Sequence, residues 1–389
     1  MLSKPLMILS RFARRLTVRV LLMAVFALAS AVLAPWLDPL IPPDIKARFG
    51  AEAVLPVLNI LASTMLTVTT FSLGVMVQAF RAASAQATPR AFRILVADPI
   101  TQNVLATFTG AFLFALTAIV MFRAGYYDDA AAVVVFGFTV LTIAAIVVAI
   151  LRWIGHLSRL GSMDHTLLMA EQAARGPLAG VMARPHLGCL PLPADAATEG
   201  AEVLADEAGY IQFIDVEGLQ ACMAQDDARV AVLRRPGSHV VAGTPLAVVI
   251  GGTSETLPAV RRHFTLGKTR TLEQDVRFGL LVLTEIGVRA LSPGVNDPGT
   301  AIDVINRQTG LLAAAGAPQD DPVEYDRVAM PGVTAAELVE AAYASLTRDG
   351  ADRPEVAHAL RSALEALQRS PWADLRDAAR RALDRIGPG

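Results

Sequence analysis

Residues Ala53–Phe80 run for 28 positions without a charged side chain. A bilayer-spanning helix needs about 20 such residues, so this segment constrains the fold more than any other. At 1.5 Å per residue it extends roughly 42 Å, against a hydrocarbon core of about 30 Å. It must tilt or continue as helix past the bilayer. Three more apolar runs accompany it, at Val20–Leu37, Asn103–Phe122 and Ala130–Leu151, and Arg81, Arg123 and Arg152 stop the last three of the four. Only Arg123–Asp129 separates the last two runs, which forces a tight antiparallel hairpin. The first run follows Lys4, Arg11, Arg14, Arg15 and Arg19, the charge order of an export signal. Its length is that of a span, and Trp36 sits at its far end where a membrane interface favours it. We read it as a retained helix.

The apolar excess is local. The 389-residue chain is 53% hydrophobic and only 18% charged, where a soluble domain carries about a quarter charged residues. The first 155 residues account for the difference, and the remainder has an ordinary soluble composition. A net charge of −2 provides no basic field for nucleic acid. The two cysteines, Cys189 and Cys222, form no C-x-x-C pair and suggest reduced thiols. Lys and Arg concentrate before the first run, between the second and third (Arg81, Arg90, Arg93), and after the fourth (Arg152, Arg159). The positive-inside rule then puts both termini of a multi-pass membrane protein in the cytoplasm. The expected fold is a mostly α membrane protein. It has a four-helix transmembrane region over residues 1–155 and an α+β cytoplasmic domain containing a small barrel-sandwich-like β-module.

The second span carries Asn59, Ser63, Thr67, Thr70, Gly74 and Gln78 at spacings of three and four, which places them on one helical face. Such a stripe has two readings. Small and hydroxyl residues let helices pack closely, or the face lines a water-filled path at the centre of a homo-oligomer. Ionisable groups, which mark proton relays, are missing from the spans. In the following loop Thr88-Pro89 and Asp98-Pro99 have the form of helix starts. Its arginines suit either anionic headgroups or plain positive-inside charge.

Residues 152–183 read as one helix leaving the membrane, followed by a linker to 199. His156 and His165 lie nine residues apart on opposite faces of such a helix, so a shared metal is not expected there, and His156 is assigned a solvated or interfacial role. Residues 200–262 change to strand periodicity, with turns at Pro236-Gly237 and Ala242-Gly243. The phrase P-G-S-H-V-V-A-G-T-P-L resembles half of a biotinyl/lipoyl barrel-sandwich domain. No lysine occurs between Lys46 and Lys268, so a covalent cofactor is excluded from this module, and no cofactor is expected elsewhere. Residues 263–389 read as a helical domain. Within it Ser292-Pro293-Gly294 ends a helix, and Asp297 caps the next with Pro298 at its first position. Asn296, Asp297 and Thr300 at this apex are candidates for binding a small molecule or ion. Capping and turn chemistry is the competing account of the same residues.

The stretch R-A-L-S-P-G-V-N-D-P-G-T-A, residues 289–301, resembles the signature of a bacterial family of membrane proteins with a domain of unknown function. T-F-S-L-G-V-M-V-Q-A-F with A-T-P-R downstream, D-P-I-T-Q-N-V-L, and G-S-H-V-V-A-G-T-P-L are similar to it as well, so the likeness spans most of residues 15–340. Gly299 departs from the pattern, which places a bulky residue there. The resemblance implies a membrane topology and no activity.

Three functions compete. An oligomeric channel or passive transporter with a cytoplasmic regulatory domain fits the polar stripe. A membrane-anchored ligand sensor or scaffold fits the soluble portion. For an enzyme there is no Walker loop, no G-x-S-x-G, no H-E-x-x-H and no clustered metal ligands, so no catalytic or metal-binding residue is assigned.

Overall fold

The computed structural model describes residues 51–386 except positions 87, 97, 128, 158, 195–199, 254 and 320–321, together with Val25 and Ala29. Apart from those two positions, the expected first span at Val20–Leu37 lies outside the described residues. Three described helices are long and apolar enough to cross a membrane, over Glu52–Arg81, Pro99–Arg123 and Ala131–Leu157. They belong to helices α1 (Ala51–Gln86), α3 (Pro99–Arg123) and α4 (Asp129–Leu157), with the short α2 (Pro89–Val96) between the first two. Helix α3 begins four residues before the apolar run does. The Asp98 carboxylate accepts from the Thr101 amide at 2.9 Å and Pro99 supplies the first turn, so the cap sets the start. Thr88 accepts from the Ala91 amide at 3.3 Å and starts α2 in the same manner.

The chain divides into two compact units. The membrane unit holds the described residues of 6–83 and 95–162. Val54, Leu58, Leu61 and Met65 of α1, Phe108 and Phe114 of α3, and Val135 and Trp153 of α4 fall in one core cluster. Helix α3 is the inner helix: half of its spanning window is buried, against 17% for α1 and 22% for α4. The expected continuous helix over 152–183 is interrupted. Helix α4 ends at Leu157 and α5 (Met163–Ala183) starts afresh. Gly161 lies between them at φ 87°, a left-handed backbone, and a side chain there would come within 3.2 Å of the Ala79 carbonyl oxygen.

The α/β unit holds the described residues of 84–94 and 163–386. Its strands are β1 (Cys189–Pro191), β2 (Ala201–Leu204), β3 (Gly209–Ile214), β4 (Arg229–Val232), β5 (His239–Val240), β6 (Pro245–Ile250), β7 (Phe264–Gly267) and β8 (Tyr325–Met330). Five form a mixed sheet in the order β1-β8-β4-β6-β2, and three form an antiparallel sheet in the order β5-β3-β7. Val230 pairs with Val328 in the parallel β4–β8 ladder, and with Val249 in the antiparallel β4–β6 ladder. Strands β1, β7 and β8 join from outside residues 200–262. Strand β8 falls within the stretch read as wholly helical. It is a short run between Pro322 and Pro331 whose Tyr325, Val328 and Met330 are buried against the sheet. Helices α6 (Val216–Gln225) and α7 (Thr256–Arg261) accompany the strands. Leu219, Met223, Ile211, Leu246 and Val328 are part of their shared core.

A second core belongs to α5, α8 (Val276–Leu291), α9 (Pro298–Ala315), α10 (Ala335–Gly350), α11 (Pro354–Leu367) and α12 (Ala373–Ile386). The apolar face of α11, through Val356, Leu360, Leu364 and Leu367, is fully buried there. Two ion pairs tie the strands to these helices. Arg235, after β4, grips both oxygens of Glu337 on α10 and donates to the Gly332 carbonyl. Arg270 holds Asp275, the α8 cap, through two bonds of 2.7 and 2.9 Å. Gly237 permits this second contact, because a Cβ there would sit 2.0 Å from the Asp275 carboxylate.

Candidate functional site

Helix α1 has two faces of different character. Val54, Leu58, Leu61 and Met65 point into the membrane unit's core. Asn59, Ser63, Thr67, Thr70, Gly74 and Gln78 are all exposed, so the expected stripe is turned away from that core. A Cβ built on Gly74 meets nothing within 4 Å. The hydroxyl donors along the stripe, and one of the two Asn59 N–H groups, are spent inside the helix. Asn59 Nδ2 donates to the Leu55 carbonyl at 3.0 Å, and Ser63 to Ile60 at 3.1 Å. Thr67 donates to Ser63 at 3.1 Å and Thr70 to Leu66 at 2.9 Å. A hydroxyl that gives its hydrogen to its own helix presents only oxygen lone pairs outward. Chemically the Ser63, Thr67 and Thr70 stretch of the stripe is a line of acceptors, suited to water or a cation.

The same unit contains a buried polar cluster at the start of α3 and the end of α4. Asp98 and His156 are 3% exposed and Thr101 2%. The His156 Nε2 lies 2.8 Å from Asp98 Oδ2 and 3.2 Å from Thr101 Oγ1, and the Thr101 hydroxyl donates to the same carboxylate oxygen at 2.6 Å. The sequence suggested a solvated or interfacial His156; the structure buries it against a carboxylate. The local half of this cluster was visible as the D-P-I-T capping phrase. The histidine lies 55 residues from Thr101, and no spacing rule connects them. His165 lies on the separate helix α5, and among the described residues no three His, Cys, Asp or Glu side chains gather as a metal site.

The signature apex joins α8 to α9 and is exposed. Asn296 takes a left-handed φ of 51°, and the Asp297 amide donates back to the Ala290 carbonyl at 2.8 Å. Asp297 accepts from the Thr300 hydroxyl at 2.6 Å and the Thr300 amide at 3.1 Å, and these bonds hold its carboxyl below the usual carboxylate range. Asn296, Asp297 and Thr300 are thus brought together, with the carboxylate already engaged in capping. Gly299 opens no cavity: a Cβ there would meet only Asp297, at 3.3 Å.

The family model described as "Predicted membrane protein (DUF2254)" matches residues 13–366. An uncharacterised protein of Mycobacterium bovis and uncharacterised counterparts from two Mycobacterium tuberculosis strains are each 28% identical over 332 residues. Each alignment covers 80% of this chain and 63% of the relative, so the chain spans less than two thirds of these relatives' length. No solved structure matches.

Proposed function

The chain belongs to the DUF2254 family of predicted membrane proteins, and from the polar stripe of α1 we propose that it is an oligomeric channel or passive transporter of a bacterial inner membrane. In this reading the spans at 53–80, 103–122 and 130–151 are joined by the one at 20–37, and both termini are cytoplasmic. The α/β unit regulates the path, through a small-molecule or ion ligand.

The acceptor stripe of α1 carries the proposal. Turned toward lipid, it would strand the unused polar groups of the Asn59 and Gln78 amides in hydrocarbon, at a cost of several kcal/mol for each unsatisfied group. A second copy of the chain, or water held between copies, relieves that cost. An axis lined by Thr67 and Thr70 oxygens would pass water and small cations.

Planar-bilayer recording on purified protein tests this. We expect single-channel conductance that drops several-fold in Thr67→Val and Thr70→Val, which keep shape and remove the acceptors. A silent bilayer across potentials and salts would reject the channel. A membrane-anchored sensor or scaffold is the second reading, favoured by the α/β unit having two apolar cores of its own. It expects ligand-dependent stabilisation with no conductance.

A further inference from the structure

The α/β unit contains a cleft of about 350 Å³, counting its open mouth, between the α5–β1 turn, the β4–β5 turn, the start of α8 and the segment after β8. Most of that space is open solvent, and the enclosed part has room for about one water molecule, so an occupant is small and sits at the mouth. Much of the lining is apolar, including Leu187, Pro236 and Met330. Of its polar groups, Gln274 is committed to strand β3, accepting from the Ile214 amide at 2.8 Å and donating to its carbonyl at 3.1 Å. Asp275 is held by Arg270 and is 2% exposed in its side chain. Arg235 is held by Glu337 and Gly332.

Arg277 is different. It stands in the first turn of α8 and lines the cleft. Among the described residues its one hydrogen bond is a long contact of 3.3 Å from Nη1 to Glu337 Oε1. That oxygen already accepts from Arg235, and the other carboxylate oxygen accepts from Arg235 and Thr334. Arg277 can offer five N–H donors in a fixed fork, so most of that capacity is unused within the protein. The local charge is also unbalanced. Among the residues lining the cleft, Arg235 and Arg277 stand against the single carboxylate of Asp275, an excess of one positive charge beside an apolar wall. Burial, and then Arg235 alongside, pull the Arg277 guanidinium below its ordinary value, against the opposing pull of Glu337 and Asp275. At 26% exposure its side chain is accessible from the cleft mouth but largely out of bulk water.

We propose that this cleft binds a small phosphate-type oxyanion, with the Arg277 guanidinium as its principal ligand and Arg235 as the neighbouring charge. A planar guanidinium whose Nε and Nη2 donors have no partner among the described residues matches a tetrahedral oxyanion in a bidentate arrangement. An anion would supply the missing negative charge and the missing acceptors together. The cleft lies where the strands meet the helices, so an anion would join the two lattices that Arg235–Glu337 and Arg270–Asp275 already form. The site is independent of whether the spans conduct. Free phosphate and a phosphate monoester share the same chemistry.

The test uses the full chain in detergent at constant ionic strength. Isothermal titration is run with inorganic phosphate and, separately, with glycerol phosphate, alongside thermal unfolding. We expect saturable binding of at least one of the two, with a matching rise in unfolding midpoint. Tighter binding of inorganic phosphate identifies a free oxyanion, and tighter binding of the ester identifies a monoester. Arg277→Gln should weaken the affinity by about tenfold or more, the loss of a charge-assisted pair. If that variant does not fold, Arg277→Lys decides, since it keeps the charge and loses the fork; it should bind about threefold or more weakly. Absence of saturable binding for both anions, or unchanged affinity in the variant that decides, overturns the proposal.

Discussion

Asp98 performs two tasks with one carboxylate: it caps α3 and it partners His156. Removing it should cost both. We expect Asp98→Ala to destabilise the detergent-solubilised protein by about 2–4 kcal/mol, combining a lost cap with a lost charge-assisted bond. The double variant with His156→Ala should lose less than the sum of the singles, because each single already breaks the shared bond. Unfolding midpoints of the four proteins check this, and simple additivity would contradict it. Gly237 is a second position where one atom decides. A methyl group there would fall 2.0 Å from the Asp275 carboxylate at a backbone φ of 87°. Gly237→Ala should therefore cost on the order of 2–4 kcal/mol and lower the yield of folded protein. The turn at Pro236-Gly237 was legible in the sequence. Its reason was not, because Asp275 lies nearly forty residues further on.

Elements were legible to different degrees. The three described candidate spans followed from charge-free length, and the capping phrases at Thr88 and Asp98 gave two starts closely. The face of α1 that carries the polar stripe also followed from spacing. Strand β8 did not, since a six-residue run between prolines has no period to separate it from loop, and only its parallel pairing with β1 and β4 makes it a strand. The break between α4 and α5 was missed because Gly161 looks like any glycine until the Ala79 carbonyl is placed beside it. The contact between the strands and α10 gives a pH prediction. Burial pushes the Glu337 carboxyl up, but the bonds from Arg235 and Thr334 outweigh this and set it at about 2, below its ordinary 4.5. Its contribution is complete above pH 4.5 and is lost as pH falls toward 2. Glu337→Gln should flatten that part of an acid-unfolding curve and cost about 1.5–3 kcal/mol at neutral pH.

At the scale of the molecule, the sequence conveyed a membrane portion followed by a mixed portion. It did not convey that the α/β unit takes residues 84–94 from between two spans. Long-range partners such as Arg90 with Glu285 leave no trace in local pattern. The same holds for the Arg277 cleft, whose lining comes from four separate places in the chain and whose arginines look like ordinary helix and turn charges. The two candidate sites differ in legibility for the same reason: the polar stripe is local to one helix, while the cleft exists only once the chain has folded.

The early segment of the α/β unit has a consequence for how the protein is made. Ala91 is 1% exposed within the core that α8 and α9 complete, and Arg90 pairs with a residue 195 positions later. At roughly 5–20 residues per second of translation, this segment waits about 10–40 s for its partners to leave the ribosome. The α/β unit therefore completes its core only after that later chain is made, and a fragment that starts after Leu157 would lack the piece that completes it.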